Sequence, residues 1–367
     1  MRSLSLRQKL ALELVRPLHT KLVEEHVLRD LFWECTLRCS LHCRHCGSDC
    51  HTTASVKDMP FEDFAKVLHR ISEKYDPHKV FVIITGGEPL MRPDIASCGR
   101  AIYDMGFPWG IVTNGMLLDR RRFDSLLKAG IHSATISVDG FEADHDWMRG
   151  VPGSFKKATE GVRMFTEVED MIFDVVTCAN RRNLSSLPEF KEFLISLGLK
   201  RWRIFTVFPS GRAADDPEMQ LSPEQFDSLM EFIVNTRKEG RIHLNYGCEN
   251  FLGGYEGLIR DNFFSCNAGL TTSSILANGD IAACASIRSD YAQGNIYRGD
   301  DFIDVWENRY QVFRDRSWMR ERGDECGHCK YFRYCLGGSM HLRESDGSLR
   351  PGTCRMLRKI NCFSKSE

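Results

Sequence analysis

No apolar stretch in this 367-residue sequence approaches the roughly 20 residues that a membrane-spanning helix needs. The first 25 residues lack the apolar core of a secretory signal, because Glu13, Glu24 and Glu25 interrupt them. Charge of one sign is missing too. The chain has 49 Lys and Arg against 50 Asp and Glu, a net charge of −1, so no overall field draws it onto nucleic acid or anionic lipid. Internal repeats, charge blocks and low-complexity tracts are absent. These absences point to a cytoplasmic globular protein, long enough for two domains. Cysteine, by contrast, is abundant, with 15 residues. Cytosol keeps thiols reduced, so clustered cysteines in a chain without an export signal read as metal ligands rather than disulfides. Cys35, Cys50, Cys98, Cys178 and Cys362 fall outside the clusters described below and read as plain core or surface thiols.

Apolar runs alternate with amphipathic patterns from about Asp30 to Pro209. The expected strands are Leu31–Cys35, Val80–Thr85, Trp109–Thr113, Ala134–Val138, Ile172–Thr177 and Trp202–Phe208. Helical patterns lie between them, at roughly 61–75, 94–106, 119–129, 154–168 and 187–198. Strands separated by crossovers of that length specify a parallel sheet with right-handed connections. Continuous apolar strands such as Val80-Phe81-Val82-Ile83-Ile84 suit burial on both faces. Six βα units are too few for a closed eight-stranded barrel and suit a partial (β/α)6 barrel, with active groups on the loops after the strands. The expected plan is an N-terminal helical segment at 1–28, an α/β core at 29–210, a linker with a helix at 211–247, and a small cysteine-rich domain at 248–367.

The first expected strand runs into Cys39-Ser-Leu-His-Cys43-Arg-His-Cys46. Three thiolates are an odd number for a structural zinc site, which closes with four ligands. An iron–sulfur cube held by three cysteines leaves one iron open to a small molecule. A zinc knuckle, or three unrelated thiols, is the plainer alternative for this motif alone. After the next strand comes Gly86-Gly87-Glu88-Pro89, an ordinary turn sequence in isolation. Together, CxxxCxxC and the GGEP turn at the end of the following strand resemble the radical S-adenosylmethionine (SAM) superfamily. The partial barrel is the core fold that this resemblance implies.

The resemblance implies that Cys39, Cys43 and Cys46 bind a 4Fe–4S cluster whose open iron takes the amino and carboxylate groups of SAM. Gly86 and Gly87 would let the backbone approach the ligand, Pro89 would fix the turn, and Glu88 would present a carboxylate to the SAM ammonium. His45 stands where the resemblance places an aromatic ring beside the adenine, a solvent-facing loop histidine being the plainer alternative. Asn114, in Thr113-Asn114-Gly115, and Ser137 and Asp139, in Ser137-Val138-Asp139-Gly140, resemble segments lining the ribose and methionyl groups. Asn-Gly and Asp-Gly are also turn formers in any protein. Arg149 resembles a recurrent arginine after that strand; an anion-binding role and a surface salt bridge are both open.

Farther on, Cys266 is followed after twelve residues by Gly279 and after four more by Cys284; then come Cys326-x2-Cys329-x5-Cys335 and Cys354. This pattern resembles the SPASM extension of radical SAM enzymes, which carries one or two auxiliary iron–sulfur clusters. Cys326, Cys329, Cys335 and Cys354 would complete one set of four, although four thiolates also suit zinc. Cys248, Cys266 and Cys284 supply only three for the other. Ser339 stands where the fourth cysteine is expected, and nearby His341 is an alternative, since imidazole can replace thiolate on iron.

The resemblance implies an enzyme that cleaves SAM reductively to a 5′-deoxyadenosyl radical and abstracts hydrogen from its substrate. A SPASM extension implies maturation of a peptide or protein by crosslinking or side-chain oxidation. A looser resemblance to a branch from Bacteroides-type bacteria makes a lipoprotein precursor the expected substrate. About 28 residues precede the first core strand, too few for a separate leader-binding domain. Radical oxidation of a small molecule, such as a tetrapyrrole side chain, is therefore the alternative, and an iron–sulfur electron carrier without SAM chemistry is the reading from another class. Expected partners are the substrate and an electron donor such as flavodoxin or ferredoxin, with no nucleic acid and no membrane span.

Overall fold

A computed structural model of the chain describes residues 3–356 except 215, 248, 288–290 and 351. Cys248 and Cys362 therefore lie outside the described residues. Helix α1 (Leu6–Glu25) starts at a capping box in which Ser5 and Gln8 satisfy each other's backbone N–H groups. Then strands and helices alternate: β1 (Asp30–Glu34), α2 (Phe61–Ser72), β2 (Phe81–Thr85), α3 (Ile95–Asp104), β3 (Trp109–Thr113), α4 (Arg120–Lys128) and β4 (Ser133–Ser137). Two helices follow, α5 (Glu142–Arg149) and α6 (Ser154–Thr166), before β5 (Ile172–Ala179), α7 (Leu187–Ser196) and β6 (Arg201–Thr206). All six expected strands are present, with ends shifted by at most two residues.

The sheet is larger than those six. Helix α8 (Pro223–Glu239) leads into β7 (His243–Tyr246), which pairs in parallel with β6. At the other side β8 (Thr272–Ile275) pairs in parallel with β1, placing Asp30 opposite Thr272 and Trp33 opposite Ile275. The spatial order is β8-β1-β2-β3-β4-β5-β6-β7, with antiparallel β9 (Asp280–Ala282) and β10 (Gly294–Asn295) continuing beyond β8. Residues expected to form a linker and a separate C-terminal unit thus also supply strands of the core sheet. Both added parallel strands are four residues long and polar, which hides them from an apolar-run reading.

Burial follows the expected periodicities. Helix α2 buries Phe64, Val67, Leu68 and Ile71, a single helical stripe, and Phe64 stacks on Trp33 with ring centroids 4.6 Å apart. In β5, Phe173, Val175, Thr177 and Ala179 are buried, with Phe173 stacked on Phe165 of α6. The alternate set, Asp174, Val176 and Cys178, is only half-buried and faces a lumen. Because the strands from β8 to β7 are parallel, their C-terminal ends share one rim, where the cysteine and GGEP loops meet. Among the described residues no helix is long and apolar enough to cross a membrane.

Candidate active site

The β1–β2 ladder continues beyond both strands into the motif loops. Cys35 N donates to Thr85 O at 3.0 Å, Gly87 N to Thr36 O at 2.8 Å, and Glu88 N to Arg38 O at 2.9 Å. The cysteine loop and the GGEP turn are therefore hydrogen-bonded together. Both glycines are required by that closeness. A Cβ on Gly86, which sits at φ +144°, would come within 2.2 Å of Thr36 O, and one on Gly87 within 2.4 Å of Arg38 O. Pro89 is buried and opens a single 3₁₀ turn, Pro89–Met91.

Cys39, Cys43 and Cys46 share one small buried cluster with Leu41 and Cys50. N–H donors are aimed at all three sulfurs. Cys39 Sγ accepts from Leu41 N at 3.5 Å and Asn114 Nδ2 at 3.7 Å, Cys43 Sγ from Arg149 Nη1 at 3.8 Å, and Cys46 Sγ from Cys50 N at 3.4 Å. Such donors stabilise thiolate over thiol, as ligation of iron requires. Burial pushes the Cys39 thiol up to about 12. Hydrogen bonding from Cys50, which prevails over burial, draws the Cys46 thiol down to about 5.

Glu88 turns inward. Its carboxylate is fully buried and accepts from Leu90 N at 3.0 Å, Thr113 Oγ1 at 2.7 Å and Asn114 N at 2.7 Å. Burial raises its pKa, with the Asn114 and Thr113 hydrogen bonds opposing. Through these bonds Glu88 ties the GGEP turn to the end of β3. Asn114 accepts from Met116 N through Oδ1 at 2.8 Å and points Nδ2 at Cys39 and Ser40.

Asp139 also turns inward. Its Oδ2 accepts from Arg149 Nε at 2.7 Å and its Oδ1 from Cys178 N at 2.9 Å, and the side chain has no exposure. Burial opposes ionisation, but Arg149 and the neighbouring donors prevail and hold the carboxyl below its usual range. Asp139 and Arg149 thus form an internal ion pair, and the surface alternative for Arg149 fails, since it is 6% exposed. Sequence reading missed α5, which brings Arg149 here. Its last carbonyls brace the cysteine loop: Arg149 O accepts from His42 N at 3.2 Å and Met148 O from Arg44 N at 2.9 Å. Ser137 is half-buried at the end of β4. His45 is half-buried with Nδ1 enclosed and unpartnered; burial and then Arg149 push its imidazole down to about 4.

Arg212 was also missed, because it lies in a polar loop without periodicity. Its Nε donates to Cys43 O at 2.7 Å and its Nη1 to Asp49 Oδ1 at 2.8 Å and Cys50 O at 3.2 Å, clamping the cysteine loop from the far side.

The sequence profile of the Radical SAM superfamily matches residues 33–194, and that of the SPASM iron–sulfur cluster-binding domain matches residues 266–330. The chain is a radical SAM enzyme with a SPASM domain. It is 28% identical over 325 residues to an AdoMet-dependent heme synthase of Oleidesulfovibrio alaskensis, covering 84% of this chain and 82% of that protein. It is also 28% identical over 316 residues to the mycofactocin maturase MftC of Mycobacterium tuberculosis, covering 84% and 78%. Its fold is similar to that of Streptococcus suis SuiB bound to S-adenosylmethionine, with TM-score 0.69 and 19% identity over 92% of this chain and 80% of that one.

In this radical SAM enzyme, Cys326, Cys329, Cys335 and Cys354 of the SPASM region line a common cavity with Tyr331 and Phe332. Arg343 Nη2 lies 3.3 Å from Cys326 Sγ. Burial raises the Cys284 thiol, and nearby Cys266 adds to that rise. His341 packs on Phe208 with ring centroids 4.7 Å apart, and its Nε2 is buried without a partner. A cavity of about 1180 Å³ separates α1, the lumen side of β6 and β7, and the SPASM region. Arg203, Phe205 and Asn245 line it from the sheet, and Cys266, Arg316 and Cys335 from the SPASM side.

Proposed function

We propose that this radical SAM enzyme oxidises a carboxylate-bearing substrate, a tetrapyrrole side chain being the favoured reading. The observation that carries this is the 28% identity, over 84% of this chain, to an AdoMet-dependent heme synthase, beside which stands a large cavity between α1, the sheet and the SPASM region. At about 1180 Å³ it exceeds an ordinary small-ligand pocket, roughly 300–1,000 Å³. Arg29 and Arg320 line it, with Asp30 and Asp261. Guanidinium groups spread around one cavity suit several carboxylates on a rigid scaffold. The similarity to an AdoMet-dependent heme synthase supports the same substrate class.

When bound, the core cluster and SAM supply the 5′-deoxyadenosyl radical that takes hydrogen from the substrate. Cys39, Cys43 and Cys46 hold that cluster. The Gly86–Pro89 backbone, Asn114, Ser137 and His45 form the SAM surround, while Glu88, Asp139 and Arg149 keep it in place. Cys326, Cys329, Cys335 and Cys354 hold one auxiliary cluster, and Cys248, Cys266 and Cys284 anchor a second. A flavodoxin- or ferredoxin-type protein is the proposed electron donor.

A peptide is the second reading. The similarity to a mycofactocin maturase favours it, and α1 leaves Leu6, Leu10, Leu14 and Leu18 exposed at four-residue spacing, the arrangement with which a helix receives apolar peptide anchors. A lipoprotein precursor is one such peptide. The two readings separate in one experiment. The anaerobically reconstituted protein, given SAM and dithionite, should release 5′-deoxyadenosine. Iron coproporphyrin as probe should accelerate that release several-fold and itself change mass, with Arg29→Ala and Arg320→Ala weakening the response. Acceleration by a peptide but not by carboxylated porphyrins would replace the tetrapyrrole reading with the peptide one.

A further inference from the structure

A buried arginine faces each cysteine set, and the three arginines differ in what else they touch. Arg149 approaches Cys43 but is neutralised by Asp139. Arg343, 3% exposed, approaches Cys326 and otherwise donates to the backbone carbonyls of Gly337 at 2.8 Å and Gly347 at 2.7 Å. Arg316, 7% exposed, lines one cavity with Cys266 and Cys335; its Nε donates to Phe313 O at 2.7 Å, and its Nη1 is buried without a hydrogen-bond partner. Cys266, Cys335, Arg343 and His19 are its ionisable neighbours, and among the described residues no carboxylate pairs with it.

A guanidinium keeps its proton. Burying one with an idle donor and no counter-charge is costly unless something negative occupies the space it faces. A cluster on Cys266 is such a group. The same set is short of negative charge, because Ser339, 1% exposed, stands where the resemblance places a fourth thiolate. A missing thiolate and an added buried cation act in the same direction. Reduction adds an electron to the cluster, and both features favour the more negative form. At the core, Asp139 cancels the corresponding cation.

We propose that Arg316 holds the auxiliary centre on Cys266 and Cys284 at a higher reduction potential than the core centre, making it the electron acceptor of the two. This rests on the auxiliary-cluster assignment above. Arg316 is a positioning residue, acting through the cluster rather than on substrate.

The test uses the full-length chain with Cys39, Cys43 and Cys46 replaced by alanine, so that only auxiliary signals are followed by redox titration with electron paramagnetic resonance. Arg316→Met should lower the midpoint of the Cys266 centre. At the potential that half-reduces the parent centre, the reduced fraction should fall about tenfold or more, the scale of one nearby charge at intermediate dielectric. Arg316→Lys should keep most of the parent potential, and Arg343→Met should move the other centre instead. An unchanged midpoint in Arg316→Met with about eight irons retained overturns the proposal while leaving two clusters in place. Equal losses in the Met and Lys variants overturn it too, since they would show packing rather than charge, as would a core midpoint above the auxiliary one in the unaltered protein. If the Met variant does not fold, Arg316→Gln against Arg316→Lys decides by the same criterion. About four irons in the parent removes the Cys266 cluster, and the proposal falls with that assignment.

Discussion

Asp139 and Arg149 form an ion pair closed to solvent: Nε lies 2.7 Å from Oδ2, with side-chain exposures of 8% for the arginine and 0% for the aspartate. The pair joins the end of β4 to the cysteine loop. Removing one member leaves an uncompensated buried charge, which costs about 3–5 kcal/mol, whereas removing both costs less. Asp139→Asn and Arg149→Met should each lower the anaerobic unfolding midpoint sharply and reduce retained core iron. The double variant should be more stable than the sum of the single effects predicts. Simple additivity in that double-mutant cycle would show that the two do not act as a pair.

Acid should weaken this region through His145. Asp139 N donates to its Nδ1 at 3.1 Å, and its Nε2 is buried without a partner. Burial lowers the imidazole to about 4, helped by Arg149 and opposed by Asp139. A folded pKa below the unfolded value near 6.5 means that the neutral form stabilises the fold. That stability is complete above pH 6.5 and is lost as pH falls toward 4, amounting to about 2 kcal/mol by pH 5. Urea midpoints at pH 7 and pH 5 should therefore fall further in the parent than in His145→Asn; parallel falls would contradict it.

The GGEP turn should tolerate little. Gly87→Ala drives a Cβ against the Arg38 carbonyl and should part the two loops, at a cost of about 1–3 kcal/mol. Glu88→Gln leaves at least one of the donors at Leu90, Thr113 and Asn114 poorly matched, about 1–3 kcal/mol, and should weaken SAM binding roughly tenfold with core iron intact. Equilibrium dialysis of SAM beside an iron assay separates the two effects. Loss of iron at undiminished SAM affinity would assign Glu88 to the cluster.

Iron stoichiometry tests the cysteine assignments. Cys43→Ala should abolish 5′-deoxyadenosine release and keep the auxiliary iron. Replacing Cys326, Cys329, Cys335 and Cys354 should remove about four irons and destabilise the SPASM region, since metal binding there contributes to folding. Zinc in that set would reassign it.

The six core strands were legible from their apolar residues, most plainly in β2, where Val82 and Ile84 are buried on one side while Phe81 and Ile83 line the other. The cysteine loop and GGEP were legible only together, through their joint resemblance to the radical SAM superfamily. Helix α5 was not, because Glu142-Ala-Asp-His-Asp-Trp-Met-Arg149 has no extended apolar period and its role lies in where its last carbonyls point. The inward turn of Glu88 and Asp139 was equally hidden. A carboxylate's direction is set by donors on other elements, here Thr113 and Asn114 for one and Arg149 and Cys178 for the other, and no local motif encodes them.

The pairing of β1 with β8 has a consequence for how the protein is made. As the ribosome releases the chain, β1 comes out first among the strands, yet its second neighbour lies some 240 residues later; Ala277 N reaches Glu34 Oε2 across a separation of 243 residues. Until that stretch emerges, β1 is an open edge carrying Trp33 beside the cysteine loop. Sheet completion thus waits until Thr272–Ile275 has emerged, and a nascent chain halted before Thr272 exposes a strand edge ready to pair with another copy. Cluster insertion is best timed after release, when the strand that bears the cysteine loop is flanked on both sides.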